Sequence, residues 1–190
     1  MKERYLYIII VFSNVLFSVE NNYGGSYSFA NIPSSAFSSS LGNTITSGIS
    51  SPSSLQQNPA NIWNNNKLKA DLTHYNDPFD AEFLSLFVSY KPKIYLKDYH
   101  VGLGAIYHEI DEIELYDDKA NFIDKSSNTN LGAYFGLSRE IFNIFLGSSI
   151  TFLRSNFENI PGGSYNMNYL FSSFGVCIKD MEWKSYNFAL

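Results

Sequence analysis

Six carboxylates lie close together near the middle of the chain and are the side chains best placed to do chemistry: Glu109, Asp111, Glu112, Glu114, Asp117 and Asp118. Carboxylates act as general acids and bases, and their oxygens are the ligands that Ca²⁺ prefers. The spacing lacks the central glycine and the terminal glutamate of an EF-hand loop. We therefore interpret this stretch as a solvated hairpin rather than a catalytic or metal site.

The other reactive side chains do not form a recognisable constellation. His100 and His108 share one face of an expected strand, but eight residues along a strand separate them by about 26 Å. No nucleophile-elbow motif surrounds any serine. The turn Pro161-Gly162-Gly163-Ser164 lacks the lysine and the strand–loop–helix context of a phosphate loop. The sequence thus predicts no enzyme activity, no cofactor and no metal, and Cys177 is interpreted as a small packing residue.

Composition favours a sheet with one apolar face. Aromatic residues make up 17% of the chain, yet the mean hydropathy is −0.13. Strands that alternate apolar and polar residues average to near neutrality while still presenting one face to lipid. The net charge of −5 and the absence of a Lys/Arg cluster argue against nucleic-acid binding.

The sequence divides into three regions, residues 1–18, 19–66 and 67–190. We interpret residues 1–18 as a signal peptide. Lys2 and Arg4 precede an apolar run from Tyr5 to Phe17. This run is too short for a membrane-spanning helix, which takes roughly 20 residues, but it suits the apolar part of an export signal cleaved after Ser18. A short membrane anchor or a buried N-terminal helix is the alternative.

Residues 19–66 form a leader rich in Ser, Asn and Gly, broken by Pro33, Pro52 and Pro59. No sustained period is present, so coil with short helical or extended pieces is expected. Apolar residues nevertheless recur more often than in a disordered linker. We predict that this leader packs inside a larger structure.

Residues 67–190 alternate with a period of two, which predicts antiparallel strands of about 8 to 12 residues. The clearest case sets Leu131, Ala133, Phe135 and Leu137 against Gly132, Tyr134, Gly136 and Ser138. A further strand is expected from Trp183. Turns are expected, among other places, at 117–130 and at Arg139-Glu140.

The composition of the two faces favours a membrane barrel over a soluble sandwich. The less apolar face is rich in Gly, Ser, Thr and Tyr and carries few charges, which suits a packed or plugged barrel interior better than a water-facing surface. Aromatic residues at expected strand ends could form interfacial girdles: Tyr75, Tyr90, Tyr107, Phe157, Tyr165 and Trp183.

The leader resembles the start of the PorQ-type family, outer-membrane proteins of the Bacteroidetes type IX secretion system that are similar in fold to PorV and to FadL fatty-acid transporters. An aromatic pair ending in Phe29 precedes the matched residues, which are Pro33, Ser35, Ala36, Leu41, Gly42, Asn58, Pro59 and Ala60. The chain departs from the family pattern where Phe37 replaces an arginine, Asn43 a glycine, and Ser50-Ser51 acidic residues.

The resemblance implies an all-β, antiparallel transmembrane β-barrel with an N-terminal plug built on these motif residues. It also implies a non-enzymatic role in the outer membrane, in contact with its lipids, as an anchor for an attachment complex of PorZ, PorU and PorV-like proteins that process secreted cargo. A FadL-like channel for hydrophobic small molecules is the alternative.

The resemblance also implies that the chain holds only about the first half of such a barrel, because FadL-like and PorQ-like proteins are considerably longer. About seven strands are expected, whereas single-chain bacterial barrels use an even number. An open sheet would leave two unpaired edges in lipid. A fragment, a truncated gene or closure by several chains would each account for this.

Overall fold

The structure is a computed structural model that describes residues 29, 32–42, 50–63, 68–76, 81–93, 98–142, 144–160 and 163–178. The predicted signal peptide (1–18) and the expected strand from Trp183 lie outside the described residues, as do Tyr27, Pro161 and Gly162.

Six strands form one antiparallel sheet in which each strand pairs with the next along the chain. They are β1 (Leu68–Asn76), β2 (Ala81–Tyr90), β3 (Tyr99–Tyr116), β4 (Phe122–Ile141), β5 (Ile144–Ile160) and β6 (Gly163–Ile178). The prediction of an all-β, antiparallel class is confirmed. Within the described ranges the sheet is open, with β1 and β6 at its edges, and does not form a closed barrel.

Two expected turns are wrong because the strands are longer than the hydrophobic pattern suggested. The turn expected over 117–130 spans only 117–121, where the amides of Lys119 and Asn121 both donate to the Asp117 side chain at 2.8 Å. Arg139 and Glu140 continue β4, paired with Leu146 and Phe145. The polar residues of 122–130 and Arg139-Glu140 suggest loops, but polar side chains are tolerated along one face of a strand.

Alternation gives the sheet two distinct faces. The leader face carries buried residues of mixed size, among them the small Gly102, Gly136 and Gly147. The opposite, apolar face carries exposed large side chains, including Leu103 and Phe135. The assignment of Leu131, Ala133, Phe135 and Leu137 to one face is confirmed, since β4 alternates between exposed and buried positions there.

Part of the leader packs on the leader face. We call residues 50–63 the strap; it contains two short 3₁₀ helices, Pro52–Gln56 and Pro59–Ile62. A five-residue helix, α1 (Ala36–Ser40), precedes it. Leu55 and Ile62 of the strap are buried in a cluster with Phe29 and leader-face residues that include Phe87, Ile106, Tyr134 and Leu153. This cluster stabilises the strap against the sheet by burying apolar area.

Candidate functional site

Asn58, Pro59 and Ala60 form a capped turn at the centre of the candidate site. The Asn58 side chain accepts a hydrogen bond from the Ala60 amide at 3.0 Å and so caps the second 3₁₀ helix. Its other end donates to the Val176 carbonyl of β6 at 3.2 Å. Pro59 occupies the first helical position, where its missing amide costs no hydrogen bond. Asn58 thus ties the turn to β6.

Glycines on β5 and β6 make the space that this turn fills. A β-carbon on Gly147 would collide with the backbone of Pro59 and Ala60. One on Gly175 would collide with the Asn58 side-chain oxygen and would lie 3.0 Å from the Pro59 ring. Gly147 and Gly175 are paired across the two strands. We call the space above these two residues the glycine notch; a side chain at either position would fill it.

The remaining leader residues singled out from the sequence lie at α1. Ser35 caps this helix through reciprocal hydrogen bonds with Ser38, at 3.0 and 3.2 Å. Ala36 is its first residue, Leu41 is its C-cap, and Gly42 follows with a φ of 63°, which favours glycine. Pro33 is half-buried just before the cap, whereas Ala36, Leu41 and Gly42 are exposed. The matched residues therefore fall into two groups, one at α1 and one in the notch.

A carboxylate on the sheet holds the other end of the strap. The Ser53 amide donates to Asp71 of β1 at 3.1 Å, and the Ser51 hydroxyl also donates to this carboxylate. Lys69 donates to the Ser50 carbonyl at 2.9 Å. The strap itself contains no charged residue, so charge-assisted hydrogen bonds from β1 take the place of a salt bridge.

The apolar face is organised in rows that cross all six strands in register. Three adjacent rows contain no charged residue: Leu68, Tyr90, Val101, Leu137, Ser148 and Phe174; Ala70, Val88, Leu103, Phe135, Ile150 and Ser172; and Leu72, Leu86, Ala105, Ala133, Phe152 and Leu170. We call these three rows the apolar band. Its large side chains are exposed, Phe135 by 44% and Leu103 by 55%. Contiguous exposed apolar side chains of this kind mark surfaces that contact a partner or a membrane.

Charged and polar residues bound the apolar band across the whole sheet on one side and on part of the sheet on the other. On one side the face continues to His74, Arg154, Glu82 and Glu109, and His74 contacts Glu82 at 3.1 Å. On the other side, Arg139 lies 3.8 Å from Asp98 and its guanidinium sits 5.1 Å from the Tyr99 ring centre, next to the band. On the first side the change from apolar to polar is complete within two neighbouring rows on all six strands. On the second side it is confined to β3 and β4, because β5 and β6 continue with Leu146 and Val176 in the row of Arg139.

Only part of the expected aromatic girdle lies on the apolar face. Tyr90 and Tyr107 do. Tyr75, Phe157 and Tyr165 instead belong to the leader face: Tyr75 stacks on Phe83 with ring centres 4.9 Å apart, and Phe157 is paired with Tyr165. Their assignment to the girdle is wrong, because period two places them on the opposite side.

Histidines and the acidic residues were the candidates for chemistry, and the structure disperses them. His100 packs edge-on against Phe145, with ring centres 6.1 Å apart. His108 contacts the Asn130 amide at 3.2 Å in a buried polar cluster with Asn128 and Ser155. In the described part of the chain, no group of three His, Cys, Asp or Glu side chains could hold a metal ion.

The acidic stretch lies at the end of the long β3–β4 hairpin, beyond the apolar band. Asp117 closes the turn, and its pKa is held below the ordinary value because the Asn121 side chain and backbone donate hydrogen bonds to the carboxylate. Tyr116 is paired with Phe122 across the hairpin and donates to Glu114. This geometry matches the solvated hairpin that the sequence predicts.

Sequence reasoning missed Asp71 and the glycine notch. Asp71 looked like an ordinary polar residue of an alternating strand. The notch joins Gly147 and Gly175, which lie far apart in sequence and meet only through the β5–β6 register. The signal that could have found the notch is the position of both glycines on the less apolar face.

No helix among the described residues is long and apolar enough to cross a membrane. Comparison of the chain with protein-family models, with curated proteins and with solved structures finds no match. The resemblance to PorQ-type proteins thus rests on the leader residues named above.

Proposed function

We propose that this chain is part of a non-enzymatic outer-membrane β-barrel protein, with the sheet as barrel wall and the leader as plug. The observation that carries this proposal is the apolar band, which crosses all six strands in register and is bounded by polar residues across the whole sheet on one side and at Tyr99 and Arg139 on the other. Lipid requires an apolar band of this kind, bounded by polar and aromatic residues at both interfaces.

The leader face supports the same assignment. Its small residues and its buried polar cluster would make a poor lipid contact, and the strap covers it with residues that are almost fully buried, such as Leu55 and Ile62. A barrel with a filled interior accounts for both faces of the sheet at once. Closure requires pairing of the outer edges of β1 and β6, which have no strand partner among the described residues, because unpaired backbone groups are not tolerated in lipid.

Within this architecture, the proposed role is to anchor the surface attachment complex of type IX secretion, with PorZ, PorU and PorV-like proteins as partners. The support is the leader motif, in which Asn58, Pro59 and Ala60 make a capped turn seated in the notch. A rigid plug suits an anchor, whose task is to hold a partner rather than to pass a substrate.

Deletion of the gene in its host tests the role. Outer-membrane fractionation of the wild-type strain should recover the protein, and the deletion strain should release secreted cargo that is no longer attached to the surface. Normal cargo attachment in the deletion strain would contradict the anchor. Uptake of labelled long-chain fatty acid by the reconstituted protein would instead support the FadL-like channel, and recovery in the soluble fraction would contradict both.

A further inference from the structure

The strap crosses the whole width of the described sheet. Its first 3₁₀ helix (Pro52–Gln56) contacts β1, β2, β3 and β4, and its second (Pro59–Ile62) contacts β3, β4, β5 and β6. The two helices are joined by hydrogen bonds from the Asn58 amide to the Ser54 carbonyl at 2.8 Å and from the Ser51 amide to the Asn61 carbonyl at 3.3 Å. They therefore form one compact unit that reaches both edge strands.

The β1 end of the strap is attached through polar contacts. Asp71 accepts from Ser51 and from the Ser53 amide, and Lys69 donates to the Ser50 carbonyl. β1 itself is the less protected edge strand, with no fully buried residue along its length. Hydrogen bonds to a charged group contribute more than neutral ones, and Asp71 accepts two of the three at this edge, so it is the main polar attachment there.

The β6 end is attached by shape. The Asn58–Ala60 turn fills the notch at Gly147 and Gly175, and Asn58 donates to the Val176 carbonyl. Between the two ends, Leu55 and Ile62 pack directly over Gly102, with Ile62 Cδ1 at 3.0 Å and Leu55 Cδ2 at 3.2 Å from where its β-carbon would lie. The Ser138 hydroxyl donates to the Ala60 carbonyl at 3.1 Å. The strap thus contacts the sheet at both of its ends and at its centre.

We infer that the strap is a conformational tie that couples the two edge strands. Neighbouring strands otherwise interact only in pairs, so a disturbance at β1 must pass through four intervening strands to reach β6. The strap provides a direct connection between Asp71 at one edge and the glycine notch at the other. This inference concerns the fold alone and stands whether or not the sheet lies in a membrane.

Hydrogen–deuterium exchange of the full-length refolded protein tests the coupling, with backbone amides of β1 and β6 read separately. Asp71→Ala should speed exchange in β6 by roughly tenfold, as expected for loss of hydrogen bonds to a charged group. Gly175→Ala should speed exchange in β1 in return. The matched controls are Leu72→Ala and Ser172→Ala, neighbours on the apolar face that do not face the strap; each should affect its own strand only.

If Asp71→Ala and Gly175→Ala each speed hydrogen exchange only in the strand that carries the substitution, the proposed coupling through the strap is wrong. Acceleration of the far edge by the two control variants to the same extent would also overturn it, because the sheet alone would then carry the coupling. If Asp71→Ala does not fold, Ser51→Ala removes the hydrogen bonds of this hydroxyl with Asp71 and Ser53 but keeps the bond from the Ser53 amide to Asp71. It should therefore give the same pattern with a smaller amplitude. Unchanged exchange at β6 in a folded Ser51→Ala variant would count against the inference.

Discussion

Asn58 and Gly175 fit together so closely that the side-chain oxygen of one lies where a β-carbon of the other would be. The same asparagine caps the turn through Ala60 and donates to the neighbouring Val176 carbonyl. One residue of the leader therefore fixes both the local turn and its position on β6. Side-chain volume at residue 175 and hydrogen bonding by residue 58 can be changed independently, which makes the contact testable.

Filling the glycine notch should destabilise the protein. Gly147→Ala and Gly175→Ala each place a methyl group against the strap backbone or Asn58, and overpacking of this kind costs about 1–3 kcal/mol. Gly102→Ala should cost less, because its β-carbon meets the flexible ends of Leu55 and Ile62. The free energy of unfolding in detergent, measured by denaturant titration, checks this order. Ser172→Ala, on the apolar face of β6, is the control and should be nearly neutral.

The side-chain hydrogen bonds of Asn58 to Ala60 and Val176 should be separable by substitution. Asn58→Ala loses both the cap to Ala60 and the bond to Val176, and should lower the free energy of unfolding by about 1–2 kcal/mol. Asn58→Asp keeps an acceptor for the cap but loses the donor to Val176, so its stability should lie between wild type and Asn58→Ala. An aspartate variant less stable than the alanine variant would contradict this division.

A charge in the apolar band should be costly only in a bilayer. Leu103→Lys places a cation in the middle row of the band, where lipid would make it cost about 2–4 kcal/mol. Ile123→Lys is the matched control, because Ile123 is 52% exposed and Leu103 55%, but Ile123 lies on the hairpin beyond the band. Folding titrations in lipid vesicles compare the two. Equal effects of the two substitutions would argue against lipid at Leu103.

Titration of Asp117 should occur below the ordinary pH range of aspartate. The hydrogen bonds donated by Asn121 lower the pKa of Asp117 in the folded state. The ionised Asp117 side chain therefore stabilises the turn at every pH above the pKa of the unfolded chain. This stabilisation is lost as the pH falls through the lower pKa of the folded state. Asn121→Ala should raise the pKa toward the ordinary value. Carboxyl carbon chemical shifts followed by NMR against pH measure both. A wild-type pKa at or above that of the Asn121→Ala variant would contradict the geometry.

Strand content and face assignment could be predicted from the sequence because period-two alternation is a local signal. Leu103 and Phe135 fall on the apolar face as the pattern indicated, and the register then pairs them across β3 and β4. The strand ends were less predictable. The stretch 122–130 is rich in Ser, Asn and Thr, which are common in turns, yet it forms the first half of β4.

The packing of the strap could not be predicted because it depends on contacts between distant residues. The turn at Asn58 was foreseeable from the chemistry of Asn before Pro. Its packing against Gly147 and Gly175 was not foreseeable, since these two glycines become neighbours only through the β5–β6 register. Asp71 was missed for the same reason: its partners Ser51 and Ser53 lie about 20 residues earlier.

Depth-dependent quenching of a single tryptophan tests lipid contact at the apolar band most directly. With Trp63 and Trp183 replaced by Phe, Phe135→Trp reports on the band and Phe122→Trp on the hairpin; the two native side chains are 44% and 55% exposed. In vesicles, brominated acyl chains should quench tryptophan at residue 135, and aqueous iodide should quench it at residue 122. Quenching of residue 135 by iodide, with no response to brominated lipid, would contradict a lipid-facing wall.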